Sequence, residues 1–159
     1  MRIILLAVSI SSAVAGALAI YAVSTRNTVD PYAREYLLMA QRAPDRLQEL
    51  ISAALPGCLD LAARPFVADT AVADLATKTL FKSGILMVEG KTAEQSSGEV
   101  VPYILDHARS LSPAQKTNFA DLMKSGQFGP DTLLCVYSSV KAAHATRVDM
   151  KATAWDLRG

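Results

Sequence analysis

The chain has few of the side chains that build metal centres. Its 159 residues include two histidines, His107 and His144, and two cysteines, Cys58 and Cys135. Neither an H-E-x-x-H nor a C-x-x-C spacing occurs, so a zinc site would need carboxylates to complete its ligands. Each histidine is better explained as a residue late in a helix, where a cation is mildly favoured. We therefore predict neither a metal ion nor a cofactor.

The chain also lacks an excess of charge of one sign. Sixteen lysines and arginines stand against 15 aspartates and glutamates, and the formal net charge is +1. Proteins that bind nucleic acids concentrate basic side chains to neutralise phosphates. The balanced composition argues against such a surface, so nucleic acid is not an expected partner.

A phosphate-binding loop is absent. The run EGKT, at residues 89–92, matches only the end of that motif. Gly84 lies one residue too far upstream to be its first glycine, and bulky apolar side chains at residues 85–88 would fill the loop. We interpret the run as a surface turn with an exposed Lys91.

No complete set of catalytic residues is present either. Ser138 and Lys141 have the S-x-x-K spacing of penicillin-recognising enzymes, but with 13 serines and 7 lysines in 159 residues about 0.6 such spacings are expected by chance. His144 follows Cys135 by nine residues, which places the two side chains on opposite sides of one helix. We therefore predict that the protein is not an enzyme.

What the chain does have is a long uncharged segment at its start. Residues 3–23, IILLAVSISSAVAGALAIYAV, carry no charge and as a helix would span roughly 31 Å, close to the hydrocarbon thickness of a bilayer. Tyr21 and Arg26 at its end suit the membrane interface. We predict a signal-anchor or transmembrane segment at residues 1–26, with membrane contact through residues 3–24, and one domain at residues 27–159. The alternative is cleavage as a signal peptide at an A-x-A spacing, either 13–15 or 17–19.

The two cysteines predict a disulfide between Cys58 and Cys135. The bridge would close a loop of about 77 residues, worth roughly 4 to 5 kcal/mol in the chain-entropy treatment. Because disulfides persist in oxidising compartments, the domain is expected in the periplasm, at the outer face of a bacterial inner membrane. The arginines that follow the apolar segment oppose this orientation under the positive-inside rule. Two buried free thiols are the alternative.

Apolar residues recur at helical spacing through most of residues 27–159. This pattern, with little β-type alternation, predicts an all-α fold, an orthogonal bundle of about six helices. Residues 85–99 are expected to form a mobile loop, and residues 145–159 suit a strand or a helix equally. The expected starts and stops of the helices are Asp30 before 31–42, Pro56-Gly57 after the second helix, Asp69 and Gly84 around the third, Pro102 at the start of the fourth, and Ser112 and Gly126 around the fifth.

Three aromatic residues are candidates for contact with a partner. Tyr32 and Tyr36 lie one turn apart near the membrane end, and Trp155 lies near the C-terminus. Tyrosine and tryptophan are enriched at interfaces because they bury area while keeping a polar atom. The alternative is that Tyr36 and Trp155 complete the core.

These features predict a membrane-anchored periplasmic binding or assembly protein that acts through protein contacts. An accessory subunit, an inhibitor or an immunity-type protein would fit, with a protein partner in or near the inner membrane. The alternative is a periplasmic protein with a cleaved signal that acts as an envelope enzyme or a stress chaperone.

Overall fold

A computed structural model describes residue 30, residues 32–126 and residues 128–156, apart from the side chains of residues 93 and 147–156. Within these ranges the protein is all-helical and contains no strand. The predicted all-α class and the number of about six helices are confirmed. The predicted membrane segment at residues 1–26 lies outside the described residues.

Six α-helices and two short 3-10 helices follow one another along the described chain. The α-helices are α1 (Tyr32–Arg42), α2 (Pro44–Cys58), α3 (Thr70–Val88), α4 (Ala93–His107), α5 (Pro113–Lys124) and α6 (Pro130–Asp156). The 3-10 helices are Arg64–Ala68, before α3, and Ala108–Ser110, after α4. Residues 145–156 therefore extend α6 as a helix, which decides between the two structures that the sequence allowed. None of the described helices is long and apolar enough to cross a membrane.

The helix starts follow from local capping chemistry. The Asp69 carboxylate accepts hydrogen bonds from the backbone N–H groups of Ala71 and Val72, as predicted for the start of α3. Ser112 forms the predicted capping box with Gln115. Each cap satisfies backbone donors that the first turn of a helix leaves without partners.

The expected loop at residues 85–99 is wrong, since most of it is helical. α3 continues through Gly84 to Val88, and α4 begins at Ala93 behind a second capping box, formed by Thr92 and Gln95. Only residues 89–92 form the turn, with Gly90 at a φ of 72°, a conformation that favours glycine. The sequence suggested a loop because the first half of α4 is polar, and the exposed side chains of Glu94, Gln95 and Glu99 lie there.

Two prolines that were expected to bound helices lie inside them. Pro56 and Gly57 belong to the last turn of α2, which ends at Cys58. Pro102 lies in the middle of α4, between Val100 and Ile104, which are both fully buried. Packing of these two side chains outweighs the hydrogen bond that the proline removes.

Helix α3 lies at the centre of the bundle and contacts α1, α2, α4, α5 and α6. Ten of its 19 residues are buried, as expected for a helix surrounded on several sides. Gly84 lies in this helix because the Tyr36 ring of α1 packs directly on it: a Cβ at residue 84 would overlap the Tyr36 hydroxyl and lie 3.0 Å from its Cζ atom. The predicted helix stop at Gly84 is therefore wrong, and the residue serves a close helix contact.

The predicted disulfide between Cys58 and Cys135 is present, with Cα atoms 5.7 Å apart. It joins the end of α2 to the second turn of α6, and these two helices also pack against each other. Leu47, Ile51 and Leu55 are the buried residues of α2. The covalent link therefore reinforces a hydrophobic contact at one end of the bundle.

Candidate functional site

The connection between α2 and α3 displays apolar side chains at the surface. Residues 59–68, LDLAARPFVA, which we call the Leu61 segment, contain two charges of opposite sign. Leu61 is 77% exposed and is the single large hydrophobic side chain that is exposed in the described part of the chain. Phe66 and Val67 of the same segment are half-buried and pack against the core. Exposed apolar surface of this kind often marks a contact with another protein or a membrane.

The Leu61 segment is held in place on both sides of Leu61. Leu59 and Ala63 are buried in the core, and the Ala63 N–H donates to the Asp60 carbonyl over 2.9 Å. The Arg64 Nε donates to the Leu59 carbonyl over 3.2 Å. Leu61 thus lies at the outer side of a tight turn, and a partner would meet a preformed surface with little ordering cost.

A groove of about 270 Å³ adjoins this segment at the disulfide. We call it the disulfide groove, and its lining residues are Cys58, Asp60, Gly126, Gly129, Pro130, Asp131, Thr132 and Cys135. Asp60 belongs to both the groove and the Leu61 segment, so the two form one continuous surface. Two carboxylates and no described lysine or arginine line the groove, so it favours a partner group that carries positive charge.

A cluster of polar side chains around Asp30 fixes the start of α1 to α6. The Asp30 carboxylate accepts hydrogen bonds of 3.0 Å from the Tyr32 N–H, the Tyr137 hydroxyl and the Lys141 ammonium. Burial alone would raise the pKa of Asp30, but these hydrogen bonds and the charge of Lys141 together lower it below its ordinary value. The carboxylate therefore stays ionised and connects the beginning of the described chain to its last helix.

The structure places Tyr32 and Tyr36, the predicted contact residues, in the core. They are 6% and 2% exposed, and with Tyr137 they form a cluster whose ring centres lie 5.2 to 6.3 Å apart. Burial raises the pKa of Tyr32 to about 12 and raises that of Tyr36 further. A partner would have to displace α1 to reach these rings. The side chain of Trp155, the third predicted contact residue, lies outside the described residues.

The predicted position late in a helix is correct for His107 and wrong for His144, which lies in the middle of α6 because that helix continues to Asp156. His107 is the last residue of α4, and its Nδ1 lies 2.8 Å from the Tyr103 carbonyl oxygen. His144 lies on α6 with its Nδ1 3.4 Å from a Glu35 carboxylate oxygen. No group of three or more histidine, cysteine or acidic side chains that could hold a metal ion occurs within residues 30–156 as far as they are described.

The residues of the S-x-x-K spacing and of the EGKT run make structural contacts. Lys141 binds Asp30, while Ser138 faces solvent one turn away on α6. In the EGKT run, Thr92 caps α4, and Lys91 lies 3.8 Å from the Glu99 carboxylate. Each motif therefore has a role in the fold.

Leu61 is the candidate site residue that the sequence did not single out. One leucine between buried neighbours carries no periodic signal of exposure, because Leu59 and Leu61 differ only in which side of a turn they occupy. In comparisons with known proteins, the chain matches no protein-family model, no curated protein sequence and no solved structure. The candidate site therefore rests on its own geometry.

Proposed function

We propose that this protein is a membrane-anchored, extracytoplasmic binding or assembly module whose protein partner docks on the Leu61 segment. The observation that carries the proposal is Leu61 itself, a large apolar side chain left 77% exposed on an otherwise well-buried bundle. Full burial of this leucine side chain against a partner would contribute roughly 1.5 to 3 kcal/mol to the free energy of binding.

The disulfide supports the extracytoplasmic part of the proposal. Cys58 and Cys135 are bonded to each other, and no described cysteine is free. Structural disulfides are typical of exported domains and rare in reducing compartments. Residues 3–24 would hold the domain at the membrane, with the described bundle on the periplasmic side of a bacterial inner membrane.

The disulfide groove and the Asp30 contact lie at different positions along α6. Asp30 is bound at Lys141, whereas the disulfide groove begins at Pro130, eleven residues earlier on the same helix. At 1.5 Å per residue, the α6 residues that line the groove, from Cys135 back to Pro130, lie about 9 to 16 Å from Lys141 along the helix axis. A partner on the Leu61 segment therefore does not need to reach the Asp30 contact.

The charges of the groove define the chemistry of the partner. Asp60 and Asp131 line the groove, Asp60 directly precedes Leu61 in the chain, and Arg64 lies three residues beyond Leu61. We therefore expect an apolar pocket that receives the Leu61 side chain, with a lysine or arginine at its edge that faces the two carboxylates.

Co-purification of the full chain from membranes of its own host tests this proposal. The change Leu61→Ser should lower recovery of a stoichiometric protein partner at least about tenfold, because a central apolar anchor is typically worth more than 1.4 kcal/mol. Folding should be unaffected, since exposed substitutions usually change stability by less than about 0.5 kcal/mol. The matched control is Ala142→Ser, an exposed residue of α6.

Equal recovery of the same partner with Leu61→Ser and with the control would contradict docking at the Leu61 segment. If no stoichiometric partner is recovered at all, and the purified protein protects unfolded clients at low pH, the stress-chaperone alternative is favoured instead.

A further inference from the structure

The two sulfurs of the disulfide lie in different surroundings. Cys58 is half-buried against the core, and its Sγ lies 3.9 Å from the Ser139 hydroxyl oxygen. Cys135 is exposed on α6, and both cysteines line the disulfide groove. An incoming thiol therefore reaches Cys135 first, whereas the Ser139 hydroxyl lies beside the Cys58 sulfur as a hydrogen-bond donor.

We propose that this disulfide is a site of thiol–disulfide exchange with a dithiol protein, with attack at Cys135 and departure of Cys58. The incoming thiolate forms a new S–S bond to the Cys135 sulfur as the bond to Cys58 breaks, and the electron pair leaves on the Cys58 sulfur. The second thiol of the dithiol then attacks the mixed disulfide and releases the Cys135 thiolate. Two electrons pass to the domain, the two protons lost by the thiols of the dithiol reach the two thiols of the domain through water, and the dithiol ends as a disulfide.

The hydroxyl of Ser139 accounts for the direction of this exchange. Departure is faster from the sulfur whose thiolate is better stabilised. The Ser139 hydroxyl can donate to the Cys58 thiolate as it forms, and hydrogen bonds to the charged form favour that form. Ser138, the preceding residue on the same helix, is exposed and has no such contact with Cys58.

The charges of the groove favour a protein dithiol over small anionic thiols. Asp60 and Asp131 repel a reagent with net negative charge such as glutathione, and screening in salt reduces this effect without removing it at short range. A dithiol on a neutral or basic protein surface avoids this repulsion. The groove, at about 270 Å³, is large enough to admit the attacking side chain.

The exposed position of Cys135 allows a thiol to reach the disulfide without unfolding of the domain. Leu55, Leu59 and Ala63, which flank Cys58 in the chain, are buried in the core. Exchange should therefore occur in the folded state and release the start of the Leu61 segment from α6 while the core stays packed.

The first experiment identifies the sulfur that is attacked. The oxidised full chain is mixed with a thioredoxin variant that lacks its second active-site cysteine, quenched in acid and mapped by peptide mass spectrometry. The mixed disulfide should be at Cys135. A mixed disulfide mainly at Cys58 would overturn the proposal, and so would the absence of any mixed disulfide.

The second experiment compares two neighbouring hydroxyls. Ser139→Ala should slow reduction by wild-type thioredoxin about threefold, as expected for loss of one weak hydrogen bond, whereas Ser138→Ala should leave the rate unchanged. The rate should rise linearly with thioredoxin and stay constant in urea concentrations below the unfolding transition. Equal rates for the two variants, or a rate that reaches a plateau and rises with urea, would overturn exchange in the folded state.

Discussion

Replacing Gly84 by alanine should destabilise the protein, although alanine is the better helix former. In the middle of a helix this change normally gains about 1 kcal/mol. At Gly84, however, the new Cβ would overlap the Tyr36 hydroxyl, and Tyr36 is only 2% exposed. Displacing a packed aromatic ring in a dense core costs up to about 3 kcal/mol. We therefore expect a net loss of about 2 kcal/mol.

Gly98 provides the matched control for this prediction. It also lies inside a helix, α4, but nothing lies within 4 Å of a Cβ built there. Gly98→Ala should therefore show the helix-propensity gain alone, up to about 1 kcal/mol in the stabilising direction. The two identical changes are expected to have opposite signs because of one neighbouring side chain.

Urea unfolding followed by far-UV circular dichroism measures both effects. The oxidised wild type, Gly84→Ala and Gly98→Ala are compared, together with Gly84→Ala in a Tyr36→Phe background. Removing the overlapping hydroxyl should reduce the cost of Gly84→Ala by about 1 kcal/mol, which is within the usual coupling of residues in contact. If Gly84→Ala is as stabilising as Gly98→Ala, α1 does not pack on α3 in the way described.

Two further predictions concern the disulfide and the Asp30 cluster. Cys135→Ser should lower the free energy of unfolding by about 4 to 5 kcal/mol, because the bond closes a long loop, and a urea midpoint equal to that of the oxidised wild type would contradict this. The pKa of Asp30 is lowered in the folded state, so its contribution is present above its unfolded pKa and is lost as the pH falls through the folded value. Asp30→Asn should thus destabilise at pH 7 and show a shallower loss of stability below about pH 4; parallel pH profiles of the two proteins would refute it.

Other carboxylates also contribute to the pH dependence of stability, so the wild type has to be compared with Asp30→Asn. A hydrogen bond from Gln115 lowers the pKa of Asp69, and one from Lys82 lowers the pKa of Glu99. Both groups titrate in the wild type and in Asp30→Asn. The difference between the two profiles therefore isolates Asp30.

The starts of helices could be predicted from the sequence because capping is local. Asp69 and Ser112 lie within three residues of the N–H groups that they accept from, so the chemistry is visible in a short window. The ends were less predictable. Gly84 has the sequence character of a helix stop, but its role is set by Tyr36, 48 positions earlier in the chain.

The candidate site was less accessible to sequence reasoning than the fold. The pairing of Cys58 with Cys135 followed from their even number, and the structure confirms it. The residue type and one-turn spacing of Tyr32 and Tyr36 indicate a partner contact, with the core as the alternative for Tyr36. The structure puts both rings in the core, where Tyr36 packs on Gly84 of α3 and against Tyr137 of α6. Leu61 shows the opposite case, since only the three-dimensional turn between Leu59 and Ala63 exposes it.

Photocrosslinking in intact host cells tests most directly the claim that the Leu61 segment binds a protein partner outside the cytoplasm. A photoreactive amino acid is introduced at position 61 of the full chain, and at the exposed position 142 of α6 as the control. We predict a discrete adduct with one membrane or periplasmic protein from position 61 and none with that protein from position 142. Adducts of the same protein at equal yield from both positions, or no adduct from position 61, would contradict the account.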